Sequence, residues 1–242
     1  MEADYQHKRC YDMQRTIILH KFLLSCGIVS SLWYVAMNIF VPMQLGNYDV
    51  ASQTVSELSA IGVPTRQLWV YMAALYSLLN ILFGWGIWMA ASGNRSLRIA
   101  GAMLILNGLI SVAWPPMHQR EAIAAGQGTL TDTMHIVFTF VSVLLMLCII
   151  IFAAAAFGKR FRFYSLATIV ILLVFGILTG LSTSFLEKNL PTPMMGIWER
   201  ISIGVYMIWI SSLSITILKH NMNQYPKHLP ESDNPFTSLK ID

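Results

Sequence analysis

The sequence predicts an all-α polytopic membrane protein with six transmembrane helices arranged in antiparallel hairpins. Hydrophobic residues make up 55% of the 242 residues, and charged residues make up only 12%, whereas an ordinary soluble domain has about 25% charged residues. The apolar residues fall in blocks of about 20, the length of helix that crosses a bilayer. One membrane domain therefore accounts for most of the chain.

The first span follows a basic leader over residues 1–17, which includes Arg9 and Arg15. The apolar block that follows covers Ile18–Val41. A cleavable signal peptide has an apolar core of about 7 to 15 residues. Because this block is longer, it predicts an uncleaved first span.

Five further apolar blocks predict the remaining spans. They are too long and too continuously apolar for barrel strands, and a helix satisfies its own backbone hydrogen bonds in hydrocarbon. The membrane domain is then expected over residues 18–219, followed by a flexible cytoplasmic tail over residues 220–242, which is rich in Pro, Ser and Asn. The five predicted spans are Gln67–Ala91, Leu97–Trp114, Asp132–Phe157, Phe163–Phe185 and Ile197–Leu218.

The distribution of Lys and Arg predicts the orientation of these spans. Twelve basic residues lie on the side of the two termini, and only four lie on the other side: Arg66, Arg120, Lys188 and Arg200. The positive-inside rule then places both termini in the cytoplasm of a multi-pass cell-membrane protein, and the bacterial inner membrane is the expected location. Because the basic residues form short clusters between spans, they argue against nucleic acid as a partner.

The longer connections face the outside in this topology, and long loops on a rigid scaffold often carry functional sites. They cover Pro42–Arg66, Pro115–Thr131 and Leu186–Gly196. No Asp, Glu, Lys, Arg or His lies in the middle of a predicted span, which disfavours a charged transport relay.

Between the third and fourth spans, Asp132 and His135 lie three residues apart and share one helix face. His118 follows a proline pair that ends the third span. His118, Asp132 and His135 could together ligate a divalent metal such as zinc. Alternatively His135 is a catalytic base oriented by Asp132, or Asp132 favours the helix dipole and His118 is an exposed loop histidine.

Ser56 and Glu57 belong to a short amphipathic segment of the first long loop, which we predict to be an interfacial or re-entrant helix. The spacing of Thr54 and Glu57 matches a capping box, which gives Glu57 a structural role. Ser56 would be a catalytic nucleophile if His135 or His118 supplied the base.

Glu199 and Arg200 lie at the start of the sixth span. Since adjacent helical residues point about 100° apart, we expect each to find a partner in another segment, such as Arg66 for Glu199 and Glu57 for Arg200. The arrangement indicates either an ion-pair clamp or a substrate site, in which Arg200 binds a lipid phosphate or carboxylate beside Glu199 and Glu57.

Gly176 and Gly180 form a pair of small residues four apart in the fifth span, which lets another helix approach closely. Packing within the bundle is the preferred interpretation, and the alternative is the interface of a homo-oligomer.

Several short motifs together resemble the six-span membrane family called domain of unknown function 998. The resemblance covers Ile18–Leu218 and implies a fold and a set of positions rather than a reaction. This chain departs from the family's pattern at Met117-His118, where an acidic residue often follows the proline. A looser likeness links the chain to seven-span hydrolases related to alkaline ceramidases, but one span and a paired-histidine motif are missing. The family motifs are Ser56-Glu57-Leu58, Trp114-Pro115-Pro116, His135 and Gly196-Ile197-Trp198-Glu199-Arg200.

The sequence thus predicts an outer-facing polar pocket that binds a membrane lipid or amphiphile. As an enzyme, the protein would hydrolyse or transfer a group on a lipid headgroup, with His135 as base or metal ligand and Arg200 anchoring an anion. The alternatives are a small-solute transporter with a polar path to Asn38, Asn80 and Asn107, and a structural partner that assembles through Gly176 and Gly180. The pocket residues are Ser56, Glu57, His118, Asp132, His135, Glu199 and Arg200.

Overall fold

The computed structural model describes residues 2–222, and helices are the only regular elements in that part of the chain. This confirms the all-α fold class. Two short 3-10 helices, Pro42–Gln44 and Val55–Ser59, lie in the first long connection. The α-helices are α1 (Glu2–Phe40), α2 (Arg66–Ala90), α3 (Arg95–Val112), α4 (Arg120–Ala124), α5 (Leu130–Ala155), α6 (Lys159–Glu187) and α7 (Met195–Met222).

Each of these α-helices except α4 is long and apolar enough to cross a membrane, which confirms the six predicted spans. The helix of the first span already begins at Glu2, so the basic leader continues that helix. The other ends of the predicted spans lie within about one helical turn of the observed helix ends. Most of the predicted tail, residues 223–242, lies outside the described residues.

The helices pack in the spatial order α5, α3, α2, α1, α7, α6. Small residues let α2 and α3 approach closely, and a Cβ built on Gly84 would lie 2.8 Å from the carbonyl oxygen of Gly101. A Cβ on Gly176 would lie 3.6 Å from Ser202 Oγ, and one on Gly180 would meet nothing within 4 Å. The close packing expected at Gly176 and Gly180 is therefore found at Gly84 and Gly101 instead.

The centre of the bundle is filled by apolar side chains, and the buried amides of Asn80 and Asn107 bond within their own helix or to a neighbouring one. Asn107 Oδ1 accepts a hydrogen bond of 2.8 Å from Ser142 Oγ, and Asn80 Nδ2 donates to the Tyr76 carbonyl at 2.9 Å. These amides are thus held by protein atoms, which does not favour the transport alternative. The fully buried packing residues include Leu24, Phe83, Ile87, Leu104, Ile149, Ile150, Trp209 and Ile210.

Three connecting segments gather at one end of the bundle, residues 41–65, 113–129 and 188–194, which we call the long-loop end. The connections at the opposite end are short turns over residues 91–94 and 156–158. Every residue of the predicted pocket lies at the long-loop end. Its outward orientation stays a prediction from the distribution of Lys and Arg.

Candidate functional site

The first long segment folds back onto the start of α7. The backbone amides of Gly196 and Ile197 donate to the Ala51 carbonyl oxygen at 2.9 and 3.2 Å. A Cβ at position 196 would clash with the carbonyl oxygens of Val50 and Gln53. Glycine is therefore required at position 196, and the segment serves as a cap for α7.

Arg200 fixes the same segment by its guanidinium group. Its Nη1 donates to the carbonyl oxygens of Val50, Gln53 and Gly196, each at 3.0 Å, and its Nη2 donates to Tyr48 Oη at 2.6 Å. Burial raises the pKa of Tyr48 to about 12. Arg200 thus holds the loop in place by charge-assisted hydrogen bonds.

Glu199 bonds a different part of this segment. Its carboxylate accepts a hydrogen bond from the backbone amide of Val55, the first residue of the 3-10 helix. The structure therefore does not place Arg66 against Glu199 or Glu57 against Arg200 as expected. Both side chains at the start of α7 bind backbone groups of the first loop, and Arg200 also binds the Tyr48 hydroxyl.

Glu57 pairs with Arg120 through two hydrogen bonds of 2.7 Å. The Glu57 side chain is only 5% exposed, and it also accepts a bond of 2.8 Å from the Thr54 amide, which confirms the predicted capping box. Arg120 further donates to the Ser52 carbonyl oxygen at 2.9 Å and to Thr192 Oγ1 at 3.3 Å. The bond to Glu57 raises the pKa of Arg120. This pair ties the three long segments together.

His118 and Asp132 form a second pair. The Nδ1 atom of His118 lies 2.8 Å from Asp132 Oδ2, and the His118 backbone amide donates to Oδ1 at 2.7 Å. Asp132 also accepts from the Thr129 amide at 2.8 Å and completes a capping box at the start of α5. Asp132 thus lies in the first turn of α5, where one interpretation of the sequence had it favour the helix dipole, and it orients His118 rather than His135.

His135 points toward the first loop. Its Nε2 lies 3.1 Å from Ser56 Oγ, and its Nδ1 lies 2.8 Å from the Pro115 carbonyl oxygen. Trp114 Nε1 also approaches Nδ1, at 3.1 Å. Nδ1 cannot donate to a carbonyl and accept from an indole at once. We assign the proton to Nδ1 because the contact with the carbonyl is shorter, and this leaves Nε2 to accept the Ser56 proton.

The predicted metal ligands do not converge. His118 and Asp132 contact each other, whereas both ring nitrogens of His135 face Ser56 and the Trp114-Pro115 segment. Within residues 2–222, no group of three His, Cys, Asp or Glu side chains has an arrangement that could hold a metal ion. The geometry of these donors therefore gives no support to the predicted zinc set.

Three participants were missed in the sequence. Arg120 was one of only four basic residues on a side that also holds six acidic ones, and that imbalance could have indicated an acidic partner. The Pro115 carbonyl follows the end of α3, where a broken helix leaves acceptors without helical donors. Tyr48 gave no signal, because its contact with Arg200 joins residues far apart in the chain.

Comparison with known proteins supplies a family but no activity. A family model described as "Protein of unknown function (DUF998)" matches residues 28–216. That range includes all three long connecting segments and every residue pair described above. No curated protein and no solved structure matches the chain.

Proposed function

The chain belongs to the DUF998 family, and we propose that it is a serine-dependent hydrolase or transferase acting on an ester of a membrane lipid or amphiphile. One observation carries this proposal, the distance of 3.1 Å between Ser56 Oγ and His135 Nε2. The Pro115 carbonyl at Nδ1 takes the orienting place that a carboxylate has in many serine hydrolases.

The reaction follows from these two side chains. Ser56 Oγ forms a bond to the ester carbonyl carbon while His135 Nε2 takes the hydroxyl proton. The ester C–O bond then breaks, and Nε2 returns the proton to the departing alcohol. Water, or a second alcohol, attacks the acyl-serine, gives its proton to Nε2 and releases the acyl group. His135 finally reprotonates Ser56.

The surroundings of the pair favour an amphiphilic substrate. Leu130 and Met134, on the turns of α5 around His135, expose 71% and 36% of their surfaces, and Val112 at the end of α3 exposes 64%. Apolar side chains exposed beside a polar site at the end of membrane-length helices suit a lipid-like chain. An ester carbonyl lies between the headgroup and the acyl chains of a lipid. A serine and histidine at the end of membrane-length helices would lie at the same depth.

The charged residues that surround this pair are assigned positioning roles. Glu57 and Glu199 bond the first turn of the 3-10 helix that carries Ser56, and Arg120 and Arg200 hold its connections. Asp132 bonds His118 and the start of α5 and contacts neither Ser56 nor the ring of His135. None of these side chains is needed as a reacting group.

A fluorophosphonate probe tests the nucleophile directly. We expect the full-length protein in lipid nanodiscs to form a covalent adduct that mass spectrometry locates on Ser56, and Ser56→Ala to abolish it. Ser59→Ala is the matched control, since Ser59 lies in the same 3-10 helix and donates to the Ser56 carbonyl oxygen at 3.0 Å. Ser59→Ala should label like the wild type. No adduct, or an adduct on another serine, would overturn the proposal.

A further inference from the structure

Arg66 differs from the two other arginines at the long-loop end. Arg120 is bonded to Glu57, and Arg200 is bonded to backbone carbonyls and Tyr48. Arg66 has neither an ion pair nor a side-chain hydrogen bond with any described residue. Its charge is therefore available to a ligand.

A surface groove of about 580 Å³ opens beside Arg66. One rim is the turn 62–64, and the other is the first turns of α2 with Gln67, Val70 and Tyr71. Val70 and Tyr71 expose 49% and 66% of their surfaces, and they lie about one turn further into the span than Arg66. The groove is thus cationic at its entrance and apolar toward the membrane.

We propose that this groove binds an anionic phospholipid, with the phosphate on Arg66 and an acyl chain along Val70 and Tyr71. A guanidinium group presents paired donors that match phosphate oxygens. Arg66 is the first residue of an apolar span, which places it near the headgroup level of a bilayer. A lipid supplies both the negative charge and the chain that the two parts of the groove require.

This lipid would lie next to the segment that carries Ser56. Thr65, the residue before Arg66, donates from Oγ1 to the Leu58 carbonyl oxygen at 2.8 Å. The 3-10 helix of Ser56 is thereby tied to the wall of the groove. The lipid site nevertheless stands without the reaction proposed for Ser56, because it uses other side chains.

Native mass spectrometry of the detergent-solubilised protein, titrated with phosphatidylglycerol, measures this binding. We expect Arg66→Gln to weaken the first binding event about fivefold, the usual contribution of one basic residue near an anionic lipid. Lys188→Gln is the matched control, because Lys188 is an exposed cation at the same end outside the groove. It should change binding little. Equal weakening by both variants, or none by Arg66→Gln, would overturn the site.

Two further arms identify the ligand. In the first, wild type should bind phosphatidylglycerol more tightly than phosphatidylcholine, and Arg66→Gln should lose that preference. In the second, inorganic phosphate competes with the lipid for the groove. Competition as strong as that by the lipid itself would overturn the lipid assignment. The same titration in a Ser56→Ala background should give the same effect of Arg66→Gln, which separates this site from the proposed reaction. If Arg66→Gln does not fold, Arg66→Lys serves instead, because it keeps the charge but removes the paired donors of the guanidinium group. Unchanged affinity and lipid preference in Arg66→Lys would contradict the need for paired donors.

Discussion

Two groups of polar residues lie at the long-loop end, and they differ in the partners to which their polar atoms are hydrogen-bonded. The clamp, which we define as Tyr48, Glu57, Arg120, Glu199 and Arg200, joins the connecting segments mainly by bonds to backbone groups and by one ion pair. The dyad, Ser56 and His135, joins one hydroxyl to one imidazole whose second nitrogen is held by a carbonyl. The clamp contains more charge, yet its hydrogen-bonding atoms are largely engaged by protein. The dyad contains the proposed nucleophile and the proposed base.

This difference shows why a dense charged cluster is weak evidence for a reactive site. A charge that is nearly buried is stabilised only when its oxygens or N–H groups are bonded. Glu57 meets this condition with bonds from Arg120 and Thr54. Ser56 is an uncharged, partly buried hydroxyl and needs no such compensation. We therefore expect variants of the clamp to change stability first, and variants of the dyad to change reactivity first.

The largest effect on stability is expected for Arg120→Ala. It leaves the Glu57 carboxylate nearly buried without its ion-pair partner, and we expect a loss of about 2 to 3 kcal/mol in the free energy of unfolding, measured by SDS titration in mixed micelles. Glu121→Ala, at the next and exposed position, is the control and should be nearly neutral. Adding Glu57→Gln to Arg120→Ala should recover part of the loss, because it removes the unpaired charge. A near-neutral Arg120→Ala would contradict the clamp.

A smaller effect is expected for Tyr48→Phe, and it depends on pH. The pKa of Tyr48 is raised from 10.0 to about 12 in the folded protein. Between these pH values the unfolded chain loses the phenol proton and the folded protein keeps it. The contribution of Tyr48 is therefore complete below pH 10 and is lost as the pH rises toward 12.

Tyr48→Phe should cost about 1 kcal/mol near pH 7, where it removes the bonds of the hydroxyl group. The free energies of unfolding of wild type and variant should then converge between pH 10 and pH 12. Parallel curves across that range would show that the phenol is not held as described.

The smallest effect is expected for Trp114→Phe, which tests the proton position on His135. If Nδ1 donates to Pro115, the indole N–H makes no true hydrogen bond with that nitrogen, and its removal should leave labelling of Ser56 by the fluorophosphonate unchanged. Phe keeps the edge-to-face ring contact with His135. Faster labelling in Trp114→Phe than in wild type would indicate the opposite tautomer in the wild type, in which the indole donates to Nδ1 and the proton on Nε2 prevents His135 from acting as the base.

The sequence determined the spans well, because each of them carries its own signal in length and hydrophobicity. It also identified the capping box of Thr54 and Glu57, since such a box depends on residues three positions apart. Contacts such as Glu57 with Arg120 join residues 63 positions apart. Nothing in the local pattern specifies which acid meets which base across such a distance.

The site shows the same division between local and distant contacts. Ser56, His135 and Asp132 were all identified as reactive types, but Asp132 was assigned to its helix neighbour His135. In the structure it serves its own helix cap and His118. The Pro115 carbonyl oxygen, rather than Asp132, orients the ring of His135. Because every residue has a backbone carbonyl, residue type does not indicate which one takes this role. Residue types in the sequence identified the candidate side chains, and only the folded structure showed which of them contact each other.

The central claim is that His135 activates Ser56, and the rate of fluorophosphonate labelling of Ser56 tests it most directly. We expect His135→Gln to lower the rate constant by about 100-fold or more, the usual contribution of a general base, while thermal stability changes little. His118→Gln is the matched control, because it alters the other histidine at this end, and it should label at nearly the wild-type rate. An unchanged rate in His135→Gln, or equal losses in both variants, would contradict the account.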